Sequence, residues 1–292
     1  MIRSRIAPTP SGYLHIGNAL NFVLTWLWVR SKGGILRLRI DDIDALRAKP
    51  EYIDDIFRTL DWLGMDWDEG PQTSDEQQRI YSQSLRAERY NELIQLLIKR
   101  GNVFACQCSR KDLNDQSCNC LTKNTPLDKP DTALRIITPS KPIEVNDIKA
   151  GLLHIDLNKE MKDFVIRRRD GIAAYQIASL ADDLDCKTNL IVRGEDLLSS
   201  TAAQLYLASL IDEIAFSTIT FYHHPLLKNE EGHKLSKSAG SSSLKTMRES
   251  NTSCEDFYIR LSGIMGWQRK CSSLQEMLES LEAEKIFTYF TP

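Results

Sequence analysis

The chain has 292 residues, of which 42% are hydrophobic and 26% charged, and its formal charge is −3. That length suits one large domain with an insertion or two modest domains. The charge excludes a global pull towards nucleic acid and leaves only local patches such as Arg167, Arg168 and Arg169. No apolar h-region follows Arg3 and Arg5, and the longest apolar run, Phe22 to Val29, is interrupted by Thr25. A membrane-spanning segment is therefore not expected, and a cytoplasmic protein is.

Residues 2–7 read as a short strand. From His15 to Lys32 the apolar positions Leu20, Val23, Leu24, Leu27 and Trp28 recur at helical spacing, which predicts a helix. Residues 33–41 alternate as a second strand and end in the acidic run "RIDDID", so the order is βαβ, the unit of a parallel sheet. Ile53, Ile56, Phe57 and Leu60 mark another helix, and Tyr90, Leu93, Ile94, Leu97 and Ile98 one that stops at Gly101. Residues 102–165 are irregular and rich in polar breakers, with a strand-like stretch at 133–139, as expected of an inserted subdomain.

In "DFVIRRRDGIAAYQIASLADD" (163–183) an Asp-Gly turn separates two strands, or a strand and a helix start, and the sheet is expected to resume there. "NLIVRGEDLL" predicts a further strand and "TAAQLYLASLI" a further helix. The serine-rich "SKSAGSSSLK" suits a mobile loop, and the remainder reads as helical. The expected fold class is α/β: a Rossmann-type parallel sheet with an inserted α+β subdomain and a short helical C-terminal segment. The expected divisions fall at 1–100, 101–165, 166–240 and 241–292.

The chemistry sits in the turns. "IAPTPSGYLHIGNAL" (6–20) places prolines, glycines and His15 where a strand hands over to a helix N-terminus. Such a terminus offers unpaired N–H groups and a positive dipole end, glycine admits a phosphate to the backbone, and His15 can donate to a phosphate oxygen. The tetrapeptide "HIGN" alone fits equally a surface histidine beside an ordinary turn. "HKLSKSAG" (233–240) adds Lys234 and Lys237, three residues apart, which can close over a triphosphate and offset the charge of departing pyrophosphate.

Seven cysteines exclude a complete disulfide framework, and four crowd together as Cys106, Cys108, Cys118 and Cys120. They supply enough soft ligands for a closed tetrahedral zinc site of structural role. Free core thiols or two local disulfides are the competing readings, the latter disfavoured in a reducing compartment.

"HIGN" (15–18) and "KLSKS" (234–238) resemble the two signature motifs of class I aminoacyl-tRNA synthetases. "RIAPTPSGYLHIGNA", "LRIDDID", "WLGMDWDEGPQTS" and "VRGEDLL" are similar to the glutamyl branch. The resemblance runs from about Ile2 to about Leu244, and five stretches agree in order and spacing. It implies ATP and Mg2+, activation of glutamate as an acyl adenylate, and attack on the adenylate by a hydroxyl of an RNA. It also implies His15, Lys234 and Lys237 as catalytic groups, and Pro8, His15, Gly17, Asn18 and Lys237 as ATP contacts. Arg5 would pair with a substrate carboxylate, Thr9 and Asp41 would lie near the amino group, and Tyr175 and Arg193 would be further glutamate contacts. Several members of this branch bind zinc in the inserted region, which the resemblance assigns to Cys106, Cys108, Cys118 and Cys120.

Three positions depart from the family's usual residues: Thr9 for serine, Asp41 for glutamate and Ser179 for asparagine. Asp41 draws its carboxylate back by one methylene, so either a water bridges to the ammonium group or the pocket serves another ligand. The chain ends at residue 292, short of where the family's helical anticodon-binding domain would lie. In this it resembles the glutamyl-Q tRNA(Asp) synthetases, which esterify glutamate to the queuosine base of tRNA(Asp). The expected partners are glutamate, ATP and a tRNA, with tRNA(Asp) favoured, no membrane, and a monomer. A minimal enzyme charging the 3′ end of tRNA(Glu), or an inactive amino-acid- or RNA-binding paralogue, are the alternatives.

Overall fold

Strand β1 (Arg3–Ile6) and strand β2 (Ile35–Leu38) pair in parallel, Arg3 opposite Ile35 and Ile6 opposite Leu38, with helix α1 (Ile16–Ser31) as their crossover. The computed structural model describes residues 1–109, 112, 118–227 and 243–284. β2 is shorter than its alternation suggests, but backbone pairing continues past it. Arg39 N–H donates to Ile6 O at 3.0 Å and Asp41 N–H to Pro8 O at 2.9 Å, which brings the acidic run beside the turn that leads into α1.

Six further strands follow the helix Ala87–Lys99: β3 (Val103–Cys106), β4 (Ala133–Ile136), β5 (Ile143–Asp147), β6 (Gly151–Ile155), β7 (Val165–Arg167) and β8 (Leu190–Gly194), before β9 (Thr220–His224). β3, β4 and β7 form an antiparallel sheet. A second sheet runs β6-β5-β9-β8, with β8 and β9 parallel and β5 and β6 a hairpin on its edge. β1 lies alongside the start of β8, through Asn189 N–H to Arg3 O at 3.0 Å and Ser4 Oγ to Leu190 O at 2.8 Å.

Two of these placements differ from the sequence reading. The strand at 165–167 belongs to the β3-β4-β7 sheet, and only with β8 does the chain return to the parallel strands. The Asp-Gly turn leads from β7, by way of a single bridge at Ala173, into the helix Tyr175–Asp185. Segment 143–155, read as irregular, is the β5-β6 hairpin. Its place in the sheet depends on pairing with β9, over sixty residues away in the chain, and local periodicity carries no trace of that.

α1 is buried on nearly every face, which is why its apolar positions crowd rather than alternate. β1 and β2 share one hydrophobic core with it, as do the C-terminal helices Leu244–Glu249, Cys254–Ile264 and Leu274–Glu284, through Leu244, Phe257, Tyr258, Leu261 and Met277. Leu244 N–H donates to Leu14 O at 2.8 Å, and Arg248 reaches Asp55 at 2.6 Å. The C-terminal segment thus braces the turn preceding α1. A second core joins Ala87–Lys99 and Tyr175–Asp185 to the helix Leu198–Leu210 and both sheets. Among the described residues no helix is long and apolar enough to cross a membrane.

Gly70 sits at the edge of β2, where Leu38 N–H donates to Glu69 O at 2.8 Å. Its φ is +108°, and a Cβ there would come within 2.1 Å of Leu38 O. Gly70→Ala should destabilise the protein by roughly 3 kcal/mol, from backbone strain and the clash together. A denaturant midpoint equal to wild type would refute this.

Candidate active site

A cavity of about 470 Å³ opens at the carboxyl ends of β1 and β8, facing the N-terminus of α1. Arg5, Thr9, His15, Gly17, Asn18, Asp41, Tyr175 and Arg193 all line it. Residues up to 188 positions apart thereby converge, as parallel α/β sheets allow at the carboxyl ends of their strands. Pro8 is buried and does not line the cavity; its carbonyl anchors the Asp41 backbone instead. Lys234 and Lys237 lie outside the described residues.

His15 is the N-cap of α1. Its Nδ1 accepts from Gly17 N–H at 3.1 Å, while its own N–H donates to Asn18 Oδ1 at 3.0 Å, so residue 15 and residue 18 cap one another. Acceptance at Nδ1 leaves the neutral ring's proton on Nε2. A Cβ at residue 17 would lie 3.0 Å from the imidazole, so glycine is what lets the ring fold over the helix end.

The inner wall is a buried charge network. Asp183 Oδ1 accepts from Arg5 Nε at 2.8 Å and from Arg39 Nη1 at 2.9 Å. Arg39 also holds both oxygens of Asp41, at 2.7 and 3.3 Å, and reaches Ser179 Oγ at 3.2 Å. Asp41 therefore faces the cavity already engaged by a guanidinium. Asp182 on the same helix turns the other way, to Arg86 at 2.6 Å, Gln83 at 2.8 Å and the Tyr90 hydroxyl at 3.0 Å.

Arg193 is different. Its Nη2 donates to Gln204 Oε1 at 3.0 Å and its guanidinium lies 5.8 Å over the Phe221 ring, but Nε and Nη1 have no partner among the described residues although both are buried. Burial lowers its pKa to about 10. Burial likewise opposes ionisation of Asp183, but Arg5 and Arg39 outweigh it and hold that carboxyl below its ordinary value. In Asp41 burial wins against Arg39, and the carboxyl is pushed up to about 6.

Ser11, Asn21, Asp196 and His224 also line the cavity, and sequence reasoning did not assign them. Asn21 Nδ2 donates to Val192 O at 3.1 Å and meets His224 Nε2 at 3.3 Å, while His224 Nδ1 contacts Pro225 O at 2.9 Å. A signal existed for Asn21: Asn18 and Asn21 are the two polar side chains in the otherwise apolar stretch 16–24, about one turn apart. Arg167, Arg168 and Arg169, considered for RNA, have protein partners: Arg167 Nη2 with Leu127 O at 3.0 Å, Arg168 with Asp170 at 2.7 Å and Asp44 at 3.4 Å, and Arg169 with Gln107 O.

Away from the cavity, the sulfurs of Cys106, Cys108, Cys118 and Cys120 all lie within 4.8 Å of one another. Separations are 3.7 Å for Cys106 to Cys118, 3.8 Å for Cys108 to Cys118 and 3.5 Å for Cys108 to Cys120. Four thiolates about 2.3 Å from a central zinc form a tetrahedron with edges of about 3.8 Å, so this donor set fits such an ion. β3 supplies Cys106 and the 3-10 turn Cys120–Lys123 supplies Cys120, with Phe104 packed against them.

The model of the catalytic domain of class I tRNA synthetases for glutamate and glutamine matches residues 1–132 and 118–291. A glutamyl-Q tRNA(Asp) synthetase of Geobacter sulfurreducens is 35% identical over 257 residues, covering 84% of this chain and 78% of that protein. A glutamate–tRNA ligase of a Sulfurihydrogenibium species is 32% identical, covering 99% of this chain and 62% of the relative. Among solved structures, a glutamate tRNA ligase of Elizabethkingia meningosepticum, in complex with its amino acid, superposes with a TM-score of 0.78 at 25% identity. That alignment covers 95% of this chain, which spans 64% of the solved one.

The sign of the Asp41 shift sets a pH dependence. The folded chain holds this proton up to about pH 6 and the unfolded chain only to its ordinary value of 3.8. The group therefore favours the fold most fully below about pH 4, and that contribution is lost as pH rises through about 6. Asp41→Asn, fixed in a neutral form, should keep it: between pH 4 and 6 the wild type loses stability relative to the variant. Denaturant titrations at pH 4, 5, 6 and 7 that run parallel for the two proteins would contradict this.

Proposed function

The chain belongs to the catalytic family of class I tRNA synthetases for glutamate and glutamine, and we propose that it activates L-glutamate with ATP and transfers it to the queuosine base of tRNA(Asp). The observation that carries the glutamate reading is Arg193. Arg193 lines the cavity, its Nε and Nη1 are buried without a partner among the described residues, and around it Arg5 and Arg39 stand against Asp41 and Asp183, with Asp182 already matched by Arg86. Such a wall is one anion short, and a carboxylate side chain supplies it with fork-matched geometry.

In the reaction, the α-carboxylate oxygen of glutamate attacks the α-phosphorus of MgATP in line, forming the acyl phosphate bond as the bond to pyrophosphate breaks. The positive end of the α1 dipole and His15 Nε2–H suit the phosphate oxygens. Lys234 and Lys237 are assigned to the departing pyrophosphate from their sequence motif. An RNA hydroxyl then attacks the mixed anhydride, releases AMP and takes the glutamyl group, so no side-chain nucleophile is required. The cytoplasm, where tRNA is found and thiols stay reduced, is the setting we assign.

We read the four cysteines as a structural zinc site that fixes the head of the inserted region: the donor set is all-thiolate, leaving no open position for catalysis. Purified protein should carry about one zinc per chain, and Cys118→Ser should lower that content severalfold. Metal analysis finding no zinc in protein purified without chelator would overturn the assignment.

The acceptor is decided by offering labelled glutamate and MgATP with tRNA(Asp) carrying queuosine, tRNA(Asp) lacking it, and tRNA(Glu). Label should appear on the queuosine form alone. Label on tRNA(Glu) would keep glutamate activation and replace the acceptor, a reading that the ligase relative supports. Absence of label on all three would overturn the proposal.

A further inference from the structure

We propose that Asp183 is the positioning residue that aims Arg5 at the substrate's side-chain carboxylate, an inference that rests on the glutamate reading above. Asp183 lies on the helix Tyr175–Asp185, whose first residue lines the cavity, and its side chain is 1% exposed. It is the one hydrogen-bond partner of the Arg5 side chain among the described residues, through Nε at 2.8 Å. A guanidinium is rigid and planar, so tying down Nε fixes the direction of its two Nη groups. With Nε turned to the protein, the Nη edge is the part of Arg5 left for the cavity it lines.

The same carboxylate oxygen holds Arg39 Nη1, but Arg39 does not depend on it. Two contacts to Asp41 and one to Ser179 keep that guanidinium in place. Loss of Asp183 therefore releases Arg5 selectively. The consequence falls on discrimination: a ligand with a charged side chain loses its fork, whereas one with a neutral amide side chain loses much less. The ATP contacts at the start of α1 lie outside this chain of interactions.

The test compares wild type, Asp183→Asn and Asp183→Ala by glutamate- and glutamine-dependent pyrophosphate exchange, with thermal melts to establish folding. Asn keeps a carbonyl acceptor where Oδ1 stands; Ala keeps nothing. Asp183→Ala should raise KM for glutamate about 50-fold, with kcat and KM for ATP within about threefold, while the glutamate-to-glutamine ratio of kcat/KM falls at least about tenfold. Asp183→Asn should recover most of this, with KM raised about fivefold and the ratio lowered by a similar factor. Equal effects of Asn and Ala would reduce Asp183 to a balancing charge and overturn the assignment, as would a ratio held within twofold in either variant. If Ala does not fold, the ratio measured for Asn decides alone. Wild-type protein that exchanges nothing with glutamate overturns the glutamate reading and this inference together; normal wild-type exchange with unchanged variants overturns only the role of Asp183.

Discussion

Arg5, Arg39 and Arg193 can be buried in one wall only because Asp183 and Asp41 stand among them. Desolvating a guanidinium costs several kcal/mol, and an unpaired one would not stay folded inward. Arg5 and Arg39 are compensated by short charge-assisted bonds. Arg193 is compensated only in part, by Gln204 and the Phe221 face, and its Nε and Nη1 have no partner among the described residues. Burial and hydrogen bonding are thus in tension at this residue, since two buried donors of a charged group go unmatched.

The other half of the site is built from backbone. α1 is driven into the centre by its own apolar composition, covered by β1 and β2 on one side and the C-terminal helices on the other. Its N-terminus has to be capped, and His15 and Asn18 do so reciprocally. The capping interaction that completes the helix also fixes the imidazole tautomer and points the ring along the helix end. Leu244 N–H on Leu14 O extends this bracing to the C-terminal segment, so the helices after residue 243 hold the α1 side of the cavity from behind.

The β3-β4-β7 sheet follows a different logic. β3, β4 and β7 are short strands with a small sheet between them, and Phe104, Cys106 and Cys120 form a core of their own, too small to be stable by burial alone. A metal bound by four thiolates would supply what that core lacks. The arginine run at 167–169 contributes here too: Arg169 bonds the carbonyl of Gln107, between two of the cysteines, and Arg168 reaches Asp44 beside the cavity.

Much was legible beforehand because it is local. The βαβ start, the helix at 16–31, the turn with His15 and the cysteine spacing follow from periodicity and spacing, whereas the grouping of Arg5, Thr9, Asp41, Tyr175 and Arg193 was implied only by the resemblance to one family. What could not be read is what depends on partners distant in the chain. The strand at 165–167 chose the β3-β4-β7 sheet and 143–155 chose the edge of β9, because a strand's partner is set by pairing across space and not by its own alternation. Asp182 and Asp183 are adjacent and chemically identical in sequence, yet successive helical residues face about 100° apart, so one binds Arg86 and Tyr90 and the other Arg5 and Arg39. The sequence by itself determined which groups are present and which turns open a helix. Only the tertiary structure decided which edges of the buried arginines carboxylates already hold, and so that the Nη edge of Arg5 and the Nε and Nη1 of Arg193 have no partner among the described residues, since that depends on charges brought together from opposite ends of the catalytic fold.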